Sequence, residues 1–348
     1  MTRRPVVIPD GGFHRIAVLR LSSLGDVVLT LPVVHALAAR FPDARLDDWV
    51  KEEYADVMRF DPAVGHVRVL ERDARRVEDL VSMSAELEDC DLIVDLHGNL
   101  RTRILTFRQR MPVLRLRPRR VARERWVRAR WTRPAPLPHV LDRYAAVVRA
   151  IGVEPDGPPR LTVGPEAETW AEGEWRRWNP GQPVVALLPG ARHATKRWPE
   201  EHWVALDRAL AEAGMARLVC SLASEREALP ELARAIAAAA DARWCTEPLP
   251  RMAALLSRCA TGVTNDSGLM HVAAARGLRL VAMFGSTSPA LGFAPAGPGH
   301  VVLCRNEPCQ PCTVHGRPAC PLGHFRCMRG IGADEVLRAL RSVVGVTA

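Results

Sequence analysis

Along the first half of the chain, short uninterrupted apolar runs alternate with longer stretches of helical period. Residues 16–21 (IAVLRL) predict a buried strand, and residues 27–39 predict an amphipathic helix that tolerates Pro32 only near its first turns. Residues 46–50, 67–70, 91–96 (DLIVDL) and 112–116 predict further strands. Such alternation implies parallel βαβ units and a doubly wound sheet. Residues 152–181 break the pattern with Pro155, Pro158, Pro159, Pro165 and Pro180 around a Trp-rich helical piece at 170–178, which reads as a linker. The pattern restarts with strands at 184–188 (VVALL), 217–221, 262–264 and 280–284, and helices from 199, over 224–240 and over 268–276. The expected organisation is a Rossmann-like domain over 1–155, a linker over 156–182, and a second Rossmann-like domain over 183–332. The second domain contains a Cys-rich segment at 304–327, and a C-terminal helix follows at 333–348. The fold class is α/β, two doubly wound domains with a cleft between them.

Composition narrows the class. Of 348 residues, 48% are apolar and 25% charged, which excludes a disordered chain. No apolar stretch reaches the roughly 18 residues of a membrane span. The first residues are basic but no apolar run follows them, so a cytosolic location is expected. The net charge of +9 is concentrated: residues 101–133 hold 13 arginines against one acid, Glu124, and the remainder is slightly acidic. A segment of this kind suits phosphate-rich partners, unless it is merely a solvated face. Lys51 and Lys196 are the only lysines among 48 basic residues, which directs attention to Lys196.

Neither common phosphate-loop signature occurs, which argues against a dinucleotide oxidoreductase and a P-loop NTPase. Chemistry gathers instead in three loops at predicted strand ends, where ligands of parallel sheets bind. The first is Ser22-Ser23-Leu24-Gly25-Asp26, in which Gly25 permits close approach and Asp26 offers a carboxylate or a helix cap. The second is residues 264–271 (TNDSGLMH), where Ser267 and Gly268 open a helix suited to an anion and His271 shares a face with Ser267. The third is residues 189–199 (PGARHATKRWP), whose Arg192, Lys196 and Arg197 could neutralise a diphosphate.

At these loops the sequence resembles glycosyltransferase family 9, the ADP-heptose:lipopolysaccharide heptosyltransferases. The similar segments are SSLGDVVLTLP, LLPGARHATKRWP and TNDSGLMHVAAA, with DLHGNLRTR at 95–103 as a fourth, in the family's order from about residue 16 to 340. TNDSGLMH and KRWP look closer to heptosyltransferase II than to I. The resemblance implies a GT-B fold and an inverting, metal-independent transfer of heptose from ADP-L-glycero-D-manno-heptose to the lipopolysaccharide inner core. It implies Asp26 as general base. Lys196, Arg192, Glu225, Asp266, Ser267, Gly268 and His271 would bind the donor, and Ser23, Gly25, His97, Asn99, Arg101 and Arg103 the acceptor. No cofactor would be required. The expected partners are ADP-heptose and Kdo-lipid A or a heptosylated core, with peripheral contact to the anionic cytoplasmic face of the inner membrane and no nucleic acid. Two other readings are a GT-B enzyme using another nucleotide sugar, and an RNA-binding protein using residues 101–133 with Phe107, Trp126 and Trp131 as stacking platforms.

Four of the nine cysteines form Cys309-x2-Cys312-x7-Cys320-x6-Cys327, near Cys304, His315 and His324. Clustered thiols in a cytosolic chain suit a structural metal or stay as reduced thiols. The single C-x-x-C pair matches no common zinc ribbon, and catalysis needs neither outcome.

Overall fold

The computed structural model describes residues 6–70, 77–132 and 134–344. Arg133, the end of the basic segment, and residues 345–348 of the expected C-terminal helix lie outside the described residues, as do residues 1–5. Two compact units make up the chain: residues 1–119 with 138–163, and residues 120–137 with 164–348.

The first unit is built on a five-stranded parallel sheet of β1 (Arg15–Leu19), β2 (Arg45–Lys51), β3 (His66–Leu70), β4 (Leu92–Asp95) and β5 (Val113–Arg115), in the order β3-β2-β1-β4-β5. The second unit holds a six-stranded parallel sheet of β6 (Val184–Leu188), β7 (Ala216–Cys220), β8 (Ala242–Cys245), β9 (Thr261–Asn265), β10 (Leu280–Phe284) and β11 (Val301–Cys304), in the order β11-β10-β9-β6-β7-β8. Strands covered on both faces can be apolar throughout, which is why β1, β4, β6 and β10 read as continuous apolar runs. The strands not expected from the sequence, β8 and β11, are the two edges of the second sheet. There a half-exposed environment admits Arg243 and leaves little apolar signal.

Helices pack on both sheets. The stretch expected as one helix over 27–39 is two, Leu24–Val28 and Leu31–Arg40, with Pro32 in the first turn of the second, where its missing N–H costs nothing. The helix expected over 224–240 is likewise divided, into Ala223–Glu227 and Pro230–Ala238. In the second core, Trp198 and Trp203 meet edge to face at 5.0 Å beneath β6 and β9.

The unit boundaries differ from those expected. The linker's helix, Pro165–Trp178, belongs to the second unit, and so do residues 120–137. In that unit Arg123 stacks on Phe293 at 4.4 Å, and the Leu137 N–H donates to the Ala290 carbonyl at 2.8 Å. The basic segment, expected to lie wholly in the first domain, is therefore divided between units. Among the described residues, no helix is long and apolar enough to cross a membrane.

Candidate active site

Both sheets reverse their strand order at one place, between β1 and β4 in the first and between β6 and β9 in the second. The crevice at such a switch point, beyond the carboxyl ends of the strands, is where open parallel sheets bind ligands. The three loops singled out in the sequence emerge there.

In the first unit, the loop after β1 places Asp26 in the first turn of Leu24–Val28. Arg20, one residue beyond β1, pairs with Asp26 Oδ1 at 2.7 Å, and the Ser23 hydroxyl donates to Oδ2 at 2.9 Å. The Tyr144 hydroxyl donates to Oδ1 at 3.3 Å from the helix Val140–Val148. Burial by itself would raise the Asp26 carboxyl, but the Arg20 guanidinium and the Ser23 hydrogen bonds outweigh it and hold the group below the ordinary carboxylate range. Burial raises the Tyr144 phenol, which remains a proton donor at neutral pH.

The loop after β4 closes on the same place. Arg20 Nη1 donates to the Leu96 carbonyl at 2.8 Å, and His97 Nδ1 accepts the Leu21 N–H at 3.2 Å. Burial, with Arg20 and Arg101 nearby, lowers the His97 imidazole to about 4, so it is neutral at physiological pH. His97 Nε2 meets the Asn99 amide at 2.8 Å, while Asn99 Oδ1 caps the helix Leu100–Leu105 by accepting the Thr102 N–H at 3.0 Å. Gly98 at φ +64° makes the turn, and its missing side chain leaves room for the Leu116 carbonyl. The structure thus brings Ser23, Asp26, His97 and Asn99 together, with Gly25 buried in the first turn and Arg101 beside His97. Arg103 lies on the same short helix with its side chain exposed. Arg115, part of the basic segment, is committed to buried Asp95 at 2.7 Å.

In the second unit, Lys196 follows β6 and Asp266 follows β9. Lys196 Nζ pairs with Asp266 Oδ2 at 2.7 Å, and the Thr287 hydroxyl donates to the same oxygen at 2.6 Å. The loops are also tied through Asn265, which donates to the Pro189 carbonyl at 2.7 Å and accepts the Trp198 N–H at 3.1 Å. Ser267 Oγ caps the helix Gly268–Ala275 by accepting the Met270 N–H at 3.4 Å, and His271 is buried in that helix. Arg192 is exposed in the β6 loop. Burial and then the cations Arg192, Lys196 and Arg197 lower the His193 imidazole, which shows how closely positive charge gathers in this loop. Glu225, after β7, accepts the Leu222 N–H at 3.0 Å and lies over Gly190; a Cβ on Gly190 would stand 2.3 Å from Glu225 Oε2.

Each unit therefore offers a different chemistry. The first holds an ionised carboxylate among hydroxyl and imidazole groups. The second holds cations beside a helix N-terminus, with a carboxylate that is paired with Lys196 and accepts a hydrogen bond from Thr287. Three participants were not singled out in the sequence: Arg20, Tyr144 and Thr287. Arg20 is a charge one residue past a strand, and Thr287 lies in a run of hydroxyls, Ser286-Thr287-Ser288, that follows β10 after Gly285, both strand-end signals. Tyr144 comes from a distant helix and carries no such signal.

A sequence profile described as glycosyltransferase family 9 (heptosyltransferase) matches residues 81–322. Over 319 residues the chain is 31% identical to lipopolysaccharide heptosyltransferase 1 of Pseudomonas aeruginosa, covering 86% of each. Over 114 residues it is 37% identical to lipopolysaccharide heptosyltransferase 2 of Escherichia coli K12, covering 31% of this chain and 32% of that one. Its fold superposes with a TM-score of 0.80, at 21% identity, on a glycosyl transferase family 9 protein from Veillonella parvula, covering 97% and 99% of the two chains. It also superposes on E. coli heptosyltransferase WaaC with ADP-2-deoxy-2-fluoro heptose, with a TM-score of 0.62 at 18% identity over 94% and 99%. The two parallel sheets with their flanking helices are those of the GT-B-like glycosyltransferase fold.

Proposed function

The chain belongs to glycosyltransferase family 9, the heptosyltransferases, and on that premise we propose that it transfers heptose from ADP-L-glycero-D-manno-heptose to the inner core of lipopolysaccharide, with inversion and without a metal. The observation that carries this reading is the Lys196–Asp266–Thr287 cluster at the second switch point, beside the N-terminus of Gly268–Ala275. Fixed cations and helix N–H groups stabilise a departing diphosphate with no divalent ion. Lys196, Arg192 and the Ser267-Gly268 turn bind the donor phosphates; Glu225, Asp266 and His271 bind its sugars. The ADP-2-deoxy-2-fluoro heptose held by WaaC, a protein of the same fold, agrees with that donor.

In an inverting transfer the acceptor hydroxyl displaces ADP in one step and loses its proton to a base. Asp26 is that base. It is ionised at neutral pH, and Arg20, Ser23 and Tyr144 fix its direction. Ser23, Gly25, His97, Asn99, Arg101 and Arg103 face the acceptor, and the exposed arginines hold its phosphates and the anionic cytoplasmic surface of the inner membrane. Relatives of both type 1 and type 2 match. The segments TNDSGLMH and KRWP support a type II reading, in which the acceptor is already heptosylated.

ADP release from ADP-heptose tests the proposal, with Kdo-lipid A and heptosylated Kdo-lipid A as parallel acceptors. Turnover on the heptosylated acceptor alone is expected, together with a loss of about 10²–10⁴-fold in Asp26→Asn at unchanged donor affinity. Turnover by that variant within a few-fold of wild type removes Asp26 from the base role. Turnover with UDP- or GDP-sugars only would overturn the donor.

A further inference from the structure

The proposed reaction makes no use of the Cys-rich segment. From β11 to the short helix Arg326–Arg329, residues 305–325 contain neither helix nor strand. Irregular segments longer than about 12–15 residues inside a compact domain are uncommon without a function or a staple. This one is ordered against the second switch point. Gln310 Nε2 donates to the carbonyls of Phe284 and Thr287 at 2.9 and 3.2 Å, and the Cys312 N–H donates to the Ser286 carbonyl at 3.0 Å. The Arg317 N–H donates to Thr195 Oγ1 at 2.8 Å, and the Arg317 carbonyl accepts the Thr195 N–H at 3.2 Å. Thr195 precedes Lys196, and Thr287 holds Asp266.

Cys309, Cys312, Cys320 and Cys327 all line one cavity of about 260 Å³, together with His324. None of the four is in a disulfide. The residues lining the cavity include no carboxylate, and Arg130 and Arg317 are among them. We propose that Cys309, Cys312, Cys320 and Cys327 form a tetrathiolate site for one thiophilic metal ion, zinc or iron, that staples residues 305–325 beneath the Lys196 loop. Four sulfurs without an oxygen ligand select soft metals over magnesium or calcium. Binding a divalent ion by four thiols releases four protons and leaves a centre of charge −2, which Arg130 and Arg317 offset. Among the described residues, no three His, Cys, Asp or Glu side chains already converge at ion-binding spacing. Binding therefore draws the thiols inward, and the irregular backbone and the cavity's volume provide the freedom to do so. The site is structural: the metal positions Thr195, and through it Lys196, and touches no reacting atom.

The experiment uses the full chain, purified without chelator from cells supplied with both zinc and iron. Elemental analysis after gel filtration is expected to give about one equivalent of zinc or iron, and the element found distinguishes the two. Cobalt(II) added to stripped protein is expected to show the tetrahedral thiolate charge-transfer and ligand-field bands. Stripping is expected to lower the Tm by several degrees and to open residues 305–325 to proteolysis. Cys312→Ser and Cys320→Ser should fall below a tenth of an equivalent, whereas Cys90→Ala in the first unit should keep full occupancy. The proposal is overturned by less than a tenth of an equivalent before and after anaerobic loading with zinc, iron(II) and cobalt(II), with all nine thiols titrating in the unfolded protein. Full retention by Cys312→Ser, or iron accompanied by acid-labile sulfide, also overturns the single-ion site.

Discussion

Asp48 sits in the middle of β2, in register with Val18 of β1 and Val67 of β3, and is 2% exposed. Its Oδ2 has no hydrogen-bond partner. Burial first, then the charges of Asp61 and Asp47, push its carboxyl up to about 8. Asp61 is itself bonded to His35 at 2.8 Å, and Asp47 is paired with Arg15 at 2.7 Å, so the partners of both neighbours are committed elsewhere than Asp48. In the unfolded chain the same group titrates near 4. Between those values the folded protein keeps a proton that the unfolded chain has lost, so stability falls as pH rises, by about 1.4 kcal/mol per unit. From pH 5 to pH 7 the loss attributable to Asp48 is about 3 kcal/mol, and the decline continues until the pH passes 8. Asp48→Asn removes the titration and keeps the shape. Burying its amide has a cost, but one that does not change with pH, so the slope is the diagnostic quantity. Urea unfolding at pH 5, 6, 7 and 8, read by pulsed alkylation of Cys90 in the first unit, should show the variant gaining about 3 kcal/mol on wild type between pH 5 and 7. Stability curves that stay parallel within about 1 kcal/mol would show that Asp48 is ionised in the folded protein and refute the reasoning.

Three further outcomes are expected. Removing the guanidinium with Arg20→Met leaves burial to dominate Asp26, so the acidic limb of the kcat/KM profile for the acceptor should move to higher pH; an unmoved limb would separate Arg20 from the base. Gly190→Ala drives a methyl into Glu225 and should raise the donor KM at least about tenfold with kcat little changed, as measured by ADP release. Gly98→Ala combines a left-handed backbone with a Cβ 2.4 Å from the Leu116 carbonyl, and should destabilise the first unit by more than about 1 kcal/mol in urea unfolding.

The sequence made the architecture legible wherever strands are buried on both faces, because a run such as VVALL at β6 needs no polar side. It failed at the sheet edges β8 and β11, where one side of the strand is solvated and the apolar run shortens. The strand-end loops were readable because Gly, Asp and Ser placed directly after an apolar run have few other roles. The ties within them were not. Tyr144 reaches Asp26 across 118 positions, and a pairing of that span leaves no local trace. The Lys196–Asp266 ion pair shows the same limit: both residues stood out in their strand-end loops, but not that they would pair with each other. The basic segment misled for a related reason. Its charge is continuous in sequence, but its packing partners change at residue 120, where α-helical residues begin to contact the second unit.

The excursion of residues 120–137 has a consequence for dissecting the protein. Because the chain leaves the first unit at 119 and returns at 138, no single cut yields two intact halves. A fragment ending at 163 would carry an orphaned basic helix, while the fragment beginning at 164 would lack the partner that covers Phe293. Exchange of halves between related enzymes would have to move that helix with the second half, with a short bridge grafted from 119 to 138.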